Sequence, residues 1–166
     1  VTEAAVTLEI AKITARMLEK YRHKVLLTRT GDVDNNWLTW RCEAAWAFGA
    51  DIFVSIHCNA CADKTVTGTE TFYFPGSETG HALARCIQSE LVAFCRTVDR
   101  NVKTNDEWTV LLETAMPAVL VELAFLTNEA ERARLTSGMG KRQFAEGLVR
   151  GINRFADGGP LFGKVM

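Results

Sequence analysis

The run Ala118–Asn128, with sequence AVLVELAFLTN, limits the possible folds of this 166-residue chain more than any other segment. Its apolar residues are typical of a strand buried on both faces, and one carboxylate, Glu122, interrupts them. A second run, Asp51–Asn59, repeats the design with His57 near its end. In an open α/β sheet, ligands and catalytic groups gather at the carboxyl ends of the strands. We therefore expect His57 and Glu122 to share one site, and a metal ion with a general base is the chemistry that this pair suggests.

The rest of the chain alternates between helical and strand periodicity. Amphipathic helices are predicted over about 3–21, 36–48 and 79–96, with a short helix after Asn128 and a last one around Phe144–Phe155. Strands are predicted over 25–29, 52–57, 69–74, 109–112 and 118–122. Asn128 and Glu131 have the spacing of a capping box. The pattern predicts one α/β domain over 1–157, with a largely parallel twisted sheet and helices on both faces, and a loose tail over 158–166.

Composition excludes several classes of protein. The net charge of −1 gives no basic surface for nucleic acid. No apolar run reaches the roughly 20 residues that span a bilayer. An odd number of cysteines rules out a complete disulfide framework. Cys58-x-x-Cys61 is consistent with a redox pair, with two thiolate metal ligands, or with one buried and one loop residue. The helical pattern already includes the residues after Val1, so we expect additional sequence upstream.

The order of polar residues and motifs is the strongest functional signal. It comprises Glu3, Leu27-Thr-Arg29, Asp32, Arg41, Ala50-Asp51, Val54-Ser-Ile-His-Cys-Asn59, Gly68, Tyr73 and Met116–Asn128. This order resembles the zinc-dependent N-acetylmuramoyl-L-alanine amidase family, the cell-wall amidases of bacteria and their phages. The resemblance covers residues 3–155, nearly the whole chain.

The resemblance implies a Zn²⁺ site with His, Glu and His ligands and a further catalytic Glu. Glu3 matches the ligand Glu, His57 the second ligand His, and Glu122 the catalytic Glu. No residue matches the first ligand His, which the family carries in a Gly-His-Gly-Gly-type turn upstream of Glu3, so we expect a preceding segment to supply the first strand and this turn. The implied activity is hydrolysis of the amide between N-acetylmuramic acid and L-alanine in peptidoglycan. We expect a secreted or periplasmic monomer, or a phage endolysin.

Each residue also has a structural interpretation. Glu3 would stabilise a helix N-terminus, His57 would be a satisfied buried histidine, and Glu122 would pair with Arg29 or Arg41. Two other functions remain open: a peptidoglycan-binding module without zinc, and a glycosidase that uses Glu122 and Glu70. Three tryptophans are expected to pack within one helix rather than to stack on sugars: Trp37, Trp40 and Trp46.

Overall fold

Four strands form one sheet in the part of the chain that the computed structural model describes, residues 1–31 and 37–158. The strands are β1 (Phe53–Asn59), β2 (Thr69–Tyr73), β3 (Asp99–Thr104) and β4 (Ala118–Phe125). Their order across the sheet is β1-β4-β2-β3. The β1–β4 and β2–β3 pairs are parallel, whereas β2 and β4 are antiparallel. The prediction of a largely parallel α/β sheet is therefore confirmed.

Helices cover both faces of this sheet. Their bounds are α1 (Glu3–Lys20), α2 (Leu38–Phe48), α3 (Glu78–Cys95), α4 (Thr109–Leu112), α5 (Glu129–Thr136) and α6 (Gly138–Gly158). One face of β4, with Val119, Val121 and Leu123, packs in a core with residues of α1, α3 and α6. Its other face, with Ala118 and Leu120, packs with residues of α2 and α4. Alternation of side chains along the strand thus separates two cores.

Two predicted strands are absent from the structure, and one strand was not predicted. Residues 25–29 form no strand in the described part of the chain, so that prediction is wrong. Residues 109–112 form the helix α4, where Val110 and Leu111 pack into the second core. The polar segment 99–104 is a strand that the sequence pattern missed, because β3 is an edge strand whose side chains are mostly exposed.

Two further predictions change in detail: where the last helix ends, and how α5 is capped. Helix α6 continues through Gly158, and residues 159–166 of the predicted tail lie outside the described residues, as do residues 32–36. Asn128 caps α5, since its Oδ1 accepts the Glu131 backbone N–H at 3.1 Å. The reciprocal half of the capping box is wrong. The Glu131 carboxylate accepts instead from the Gly68 and Phe125 backbone N–H groups, at 2.9 and 2.6 Å, and so joins the residue before β2 and the end of β4 to α5.

Candidate active site

Three polar side chains occupy neighbouring positions on three adjacent strands. His57 on β1 pairs with Glu122 on β4, and Glu122 pairs with Glu70 on β2. Directly paired residues point to the same face of a sheet. This face is the one that α2 and α4 cover further along, where Leu120 is buried. The sheet register therefore brings together the two strand-end residues that the sequence predicted, and adds Glu70.

Glu3 reaches the same place from the first turn of α1. Its Oε1 lies 2.8 Å from His57 Nδ1 and accepts the Cys58 backbone N–H at 3.2 Å. The hydrogen bond with His57 lowers the Glu3 pKa, against the opposing effect of burial. On the other side of the ring, Ser55 Oγ lies 3.0 Å from His57 Nε2. Both ring nitrogens of His57 are thus engaged, and the Nδ1 edge faces the Glu3 carboxylate.

Glu122 has an unusual environment for a carboxylate. Its Oε2 is buried and has no hydrogen-bond partner in the described part of the chain. Burial raises its pKa from 4.5 to about 7, with an opposing effect of His57 and smaller upward effects of Glu3 and Glu70. Of the two ion pairs predicted as alternatives, with Arg29 or with Arg41, the one with Arg29 is not formed: Arg29 donates to Ala4 O at 2.6 Å and to Thr7 Oγ1 at 3.2 Å. A carboxyl group with such a pKa suits general-base catalysis near neutral pH.

Both carboxylate oxygens of Glu70, in contrast, accept hydrogen bonds. Its side chain is buried, and Asn59 Nδ2 donates to its Oε1 at 2.5 Å. Its Oε2 accepts from Arg100 Nε at 3.2 Å and from Lys103 Nζ. The sequence pattern does not indicate this cluster, because Arg100 and Lys103 lie on the polar edge strand β3, for which no strand is predicted. Glu122 and Glu70 are therefore neighbours with opposite surroundings. In the described part of the chain, one oxygen of Glu122 has no hydrogen-bond partner, whereas the Glu70 carboxylate accepts from three donors.

A groove of about 840 Å³ lies beside β1, between that strand and residues 25–29. Its walls come from α1, residues 22–29, β1 and the end of α6, and Glu3 and His57 lie in its lining. Several wall residues are apolar, among them Leu18, Val54, Ile56 and Ile152. In the described part of the chain, β1 has a strand neighbour on one side only, because β4 is its single partner. The outer edge of β1 thus presents unpaired backbone groups to an apolar groove.

The metal-ligand set is incomplete within residues 1–31 and 37–158. No group of three or more His, Cys, Asp and Glu side chains there is arranged to hold a metal ion. His57 and Glu3 supply two donors of the kinds that zinc prefers, an imidazole nitrogen and a carboxylate oxygen. The carboxylate of Glu122 ends beside them with one oxygen unpartnered. This donor set fits zinc as part of a site rather than as a whole one.

The cysteines do not add a ligand to the candidate zinc site. All five cysteines are free thiols, and Cys58 is buried, which raises its thiol pKa, so a thiolate ligand there is disfavoured.

The expected packing of three tryptophans is wrong in the structure. Trp37, Trp40 and Trp46 are exposed, whereas Trp108 packs edge-on against Phe72 at 4.8 Å between ring centroids. No helix in the described residues is long and apolar enough to cross a bilayer.

Comparison with known proteins gives this site a context. The family model described as N-acetylmuramoyl-L-alanine amidase matches residues 1–154. The chain belongs to this family. The match includes α1 with Glu3 and both strands that carry His57 and Glu122. The resemblance seen in the sequence is therefore confirmed.

Individual family members support the assignment. The chain is 34% identical over 151 residues to the amidase LytC of Bacillus subtilis strain 168, covering 90% of this chain and 30% of LytC. It is 37% identical over 155 residues to the amidase CwlM of Bacillus licheniformis, covering 92% of this chain and 59% of CwlM. The crystal structure of N-acetylmuramoyl-L-alanine amidase from Clostridium difficile 630 superposes with a TM-score of 0.88 at 35% identity, over 96% of this chain and 86% of that one. The family fold is thus present, while the chain spans only part of these curated relatives.

Proposed function

We propose that this chain is the catalytic domain of a zinc-dependent amidase that hydrolyses the bond between N-acetylmuramic acid and L-alanine in peptidoglycan. The observation that carries the proposal is the convergence of His57, Glu3 and Glu122 on one sheet face, with Glu122 Oε2 buried and unpartnered. An unpaired buried carboxylate costs folding free energy, so a catalytic role is a good reason for its position. The relatives LytC and CwlM carry the amidase name, which agrees with this substrate.

His57 and Glu3 are the residues that would hold zinc. Bound there, zinc would polarise the scissile carbonyl and acidify a water molecule. Glu3 holds the Nδ1 edge of His57, and Ser55 fixes the ring from its other edge, so both donors are preoriented. The N-cap bond from the Ala5 backbone N–H to Thr2 Oγ1, at 3.3 Å, steadies the helix turn that carries Glu3.

Glu122 is the proposed general base. With a pKa of about 7, its carboxylate takes a proton from the attacking water near neutral pH and returns it to the leaving amine of L-alanine. Its neighbour Glu70 is occupied by Asn59, Arg100 and Lys103 and so keeps its own charge compensated. The contrast between the two carboxylates supports Glu122 as the group that transfers the proton.

The groove beside β1 is the proposed place of the missing zinc ligand, the first ligand His of the family. An added strand between β1 and residues 25–29 would use the unpaired edge of β1 and bury the apolar groove walls. Its carboxyl end would lie next to His57 and Glu3 if it ran parallel to β1. We therefore propose that a further segment in this groove carries the first ligand His of the family and completes the zinc site.

Two other functions explain the geometry less well. A peptidoglycan-binding module without zinc would leave Glu122 Oε2 buried without a purpose. A glycosidase would need an acid and a nucleophile or base, yet the Glu70 carboxylate already accepts from three donors. The wall amidases among the relatives also suggest that the protein acts outside the cell membrane, at the cell wall. A monomeric state remains a prediction.

Digestion of purified peptidoglycan by the full-length, zinc-loaded protein tests the proposal. We expect new L-alanine amino termini and intact glycan strands. New reducing ends would instead indicate a glycosidase, and tight wall binding without any cleavage would indicate a binding module.

A further inference from the structure

Lys103 lies on the edge strand β3, next to the strand that carries Glu70 and on the side of the sheet away from β1 and His57. Its Nζ contacts Glu70 Oε2, and its ammonium lies 5.8 Å from the centroid of the Phe72 ring. The side chain is 42% exposed, whereas that of Glu70 is only 6% exposed. The lysine therefore reaches from the surface to the edge of the site, with its charge still accessible to a ligand.

Arg100 already neutralises Glu70 and is fixed by the fold. Besides its bond to Glu70, its guanidinium lies 5.1 Å from the centroid of the Phe125 ring, and Nη1 donates to Thr67 O at 3.5 Å. Gly68, at φ +116°, makes room for its stem, since a Cβ there would lie 2.9 Å from Arg100 Cγ and Cδ. Arg100 is thus a structural partner of Glu70. The cluster of one carboxylate and two cations keeps one positive charge in excess, and Lys103 carries it.

The distance from Lys103 to Glu122, the proposed base, is about the length of two extended peptide residues. Paired side chains on neighbouring strands lie roughly 5 Å apart, so Glu70 separates Lys103 Nζ from the Glu122 carboxylate by on the order of 8 Å. An extended peptide advances about 3.3–3.6 Å per residue, so two residues cover this span. A carboxylate on the residue after L-alanine would therefore come within reach of Lys103 when the scissile amide lies beside Glu122.

We propose that Lys103 binds the free carboxylate of the stem-peptide residue that follows L-alanine, and so makes the enzyme prefer an acidic residue there. The proposal rests on the amidase function above and names a specificity determinant for the same site. Along the sheet, the acidic end with Glu3, Glu122 and Glu70 suits the metal and the proton transfer, and the cationic end at Lys103 suits an anionic group. Lys103 is expected to affect substrate binding rather than the chemical step.

Two synthetic muramoyl tripeptides test this directly. They differ only in whether the residue after L-alanine carries a free α-carboxylate or its primary amide. The full-length, zinc-loaded wild type should cleave the carboxylate substrate with a kcat/KM about fivefold higher, the size expected for one partly exposed charge pair, and the difference should lie in KM. Lys103→Met keeps an apolar stem over Phe72 but removes the charge, so it should abolish the preference between the two substrates. Lys103→Arg should keep the preference.

Lys20→Met, a surface change at the end of α1, is the matched control and should leave the preference intact. Equal kcat/KM of the wild type for both substrates would overturn the inference, as would an equal loss on both substrates in Lys103→Met. Failure of the wild type to cleave either substrate would instead contradict the proposed function.

Discussion

Replacing Glu122 by glutamine should stabilise the metal-free protein at high pH but not at low pH. Burial raises the Glu122 pKa from 4.5 to about 7, so the fold favours the protonated carboxyl group. The stability that protonation contributes is fully present below pH 4.5 and is lost as the pH rises through 7. Glutamine stays neutral at every pH. The difference in unfolding free energy between Glu122→Gln and wild type should therefore be small at pH 4.5 and grow toward pH 8.

The size of this effect follows from the shift. At about 1.36 kcal/mol per pKa unit, a change from 4.5 to about 7 gives an upper bound of about 3.4 kcal/mol. The side chain is only partly buried, so we expect a gain of about 1–3 kcal/mol at pH 8. Urea unfolding in a chelator, at pH 4.5, 6, 7 and 8, measures it. A gain that does not change with pH, or a variant less stable than wild type at pH 8, would refute the explanation.

The neighbouring carboxylate provides the matched control. Glu70→Gln removes a charge that Arg100 and Lys103 contact, and leaves those cations without their partner. We expect it to destabilise the protein by about 1–3 kcal/mol at pH 8, the opposite sign to Glu122→Gln. Equal effects of the two substitutions would show that the contrast between their surroundings has no energetic consequence.

Three further predictions concern the stability and access of the site. Asn128→Ala removes the α5 cap and should lower the unfolding free energy by about 1 kcal/mol without a selective loss of activity; an inactive variant with unchanged melting temperature would place Asn128 in the site. Glu131→Gln should cost about 1–3 kcal/mol in urea unfolding, because one of two buried backbone N–H groups loses a carboxylate acceptor; an unchanged midpoint would contradict this. Residues 74–77, which connect β2 to α3, are too few to form a helix that covers the site and would have to be displaced by an activator. Full-length protein with zinc should therefore digest purified cell wall without added cell extract. A strict requirement for extract would contradict this.

Much of the fold and part of the site were predictable because burial leaves a clear pattern. The apolar runs around His57 and Glu122 predicted β1 and β4, and one polar residue in each predicted the candidate site. Glu3 was different: only the resemblance distinguished it from an ordinary first-turn acid, because its contact with His57 joins residues 54 positions apart. Lys103 was missed, since an exposed edge strand needs few apolar residues. Its importance depends on the register between β2 and β3, which the sequence pattern does not encode.

The tryptophans of α2 and the segment 25–29 show a second limit. Helical spacing does not tell which face of a helix is buried, and Trp46 is 72% exposed although its neighbour Ala45 is buried. Strand-like composition in 25–29 likewise does not guarantee a ladder, because a strand needs a partner for its backbone groups. In both cases the deciding contact comes from another element of the fold.

The most direct test of a zinc amidase with distinct ligand and base residues compares His57→Ala with Glu122→Gln in the full-length protein. Zinc content, measured by elemental analysis, and release of L-alanine amino termini from peptidoglycan are determined for both variants and for wild type. We predict that His57→Ala loses zinc together with activity. Glu122→Gln should keep zinc and the fold while kcat falls by on the order of 10²–10⁴. Equal loss of zinc in both variants, or wild-type activity in either, would contradict the assignment.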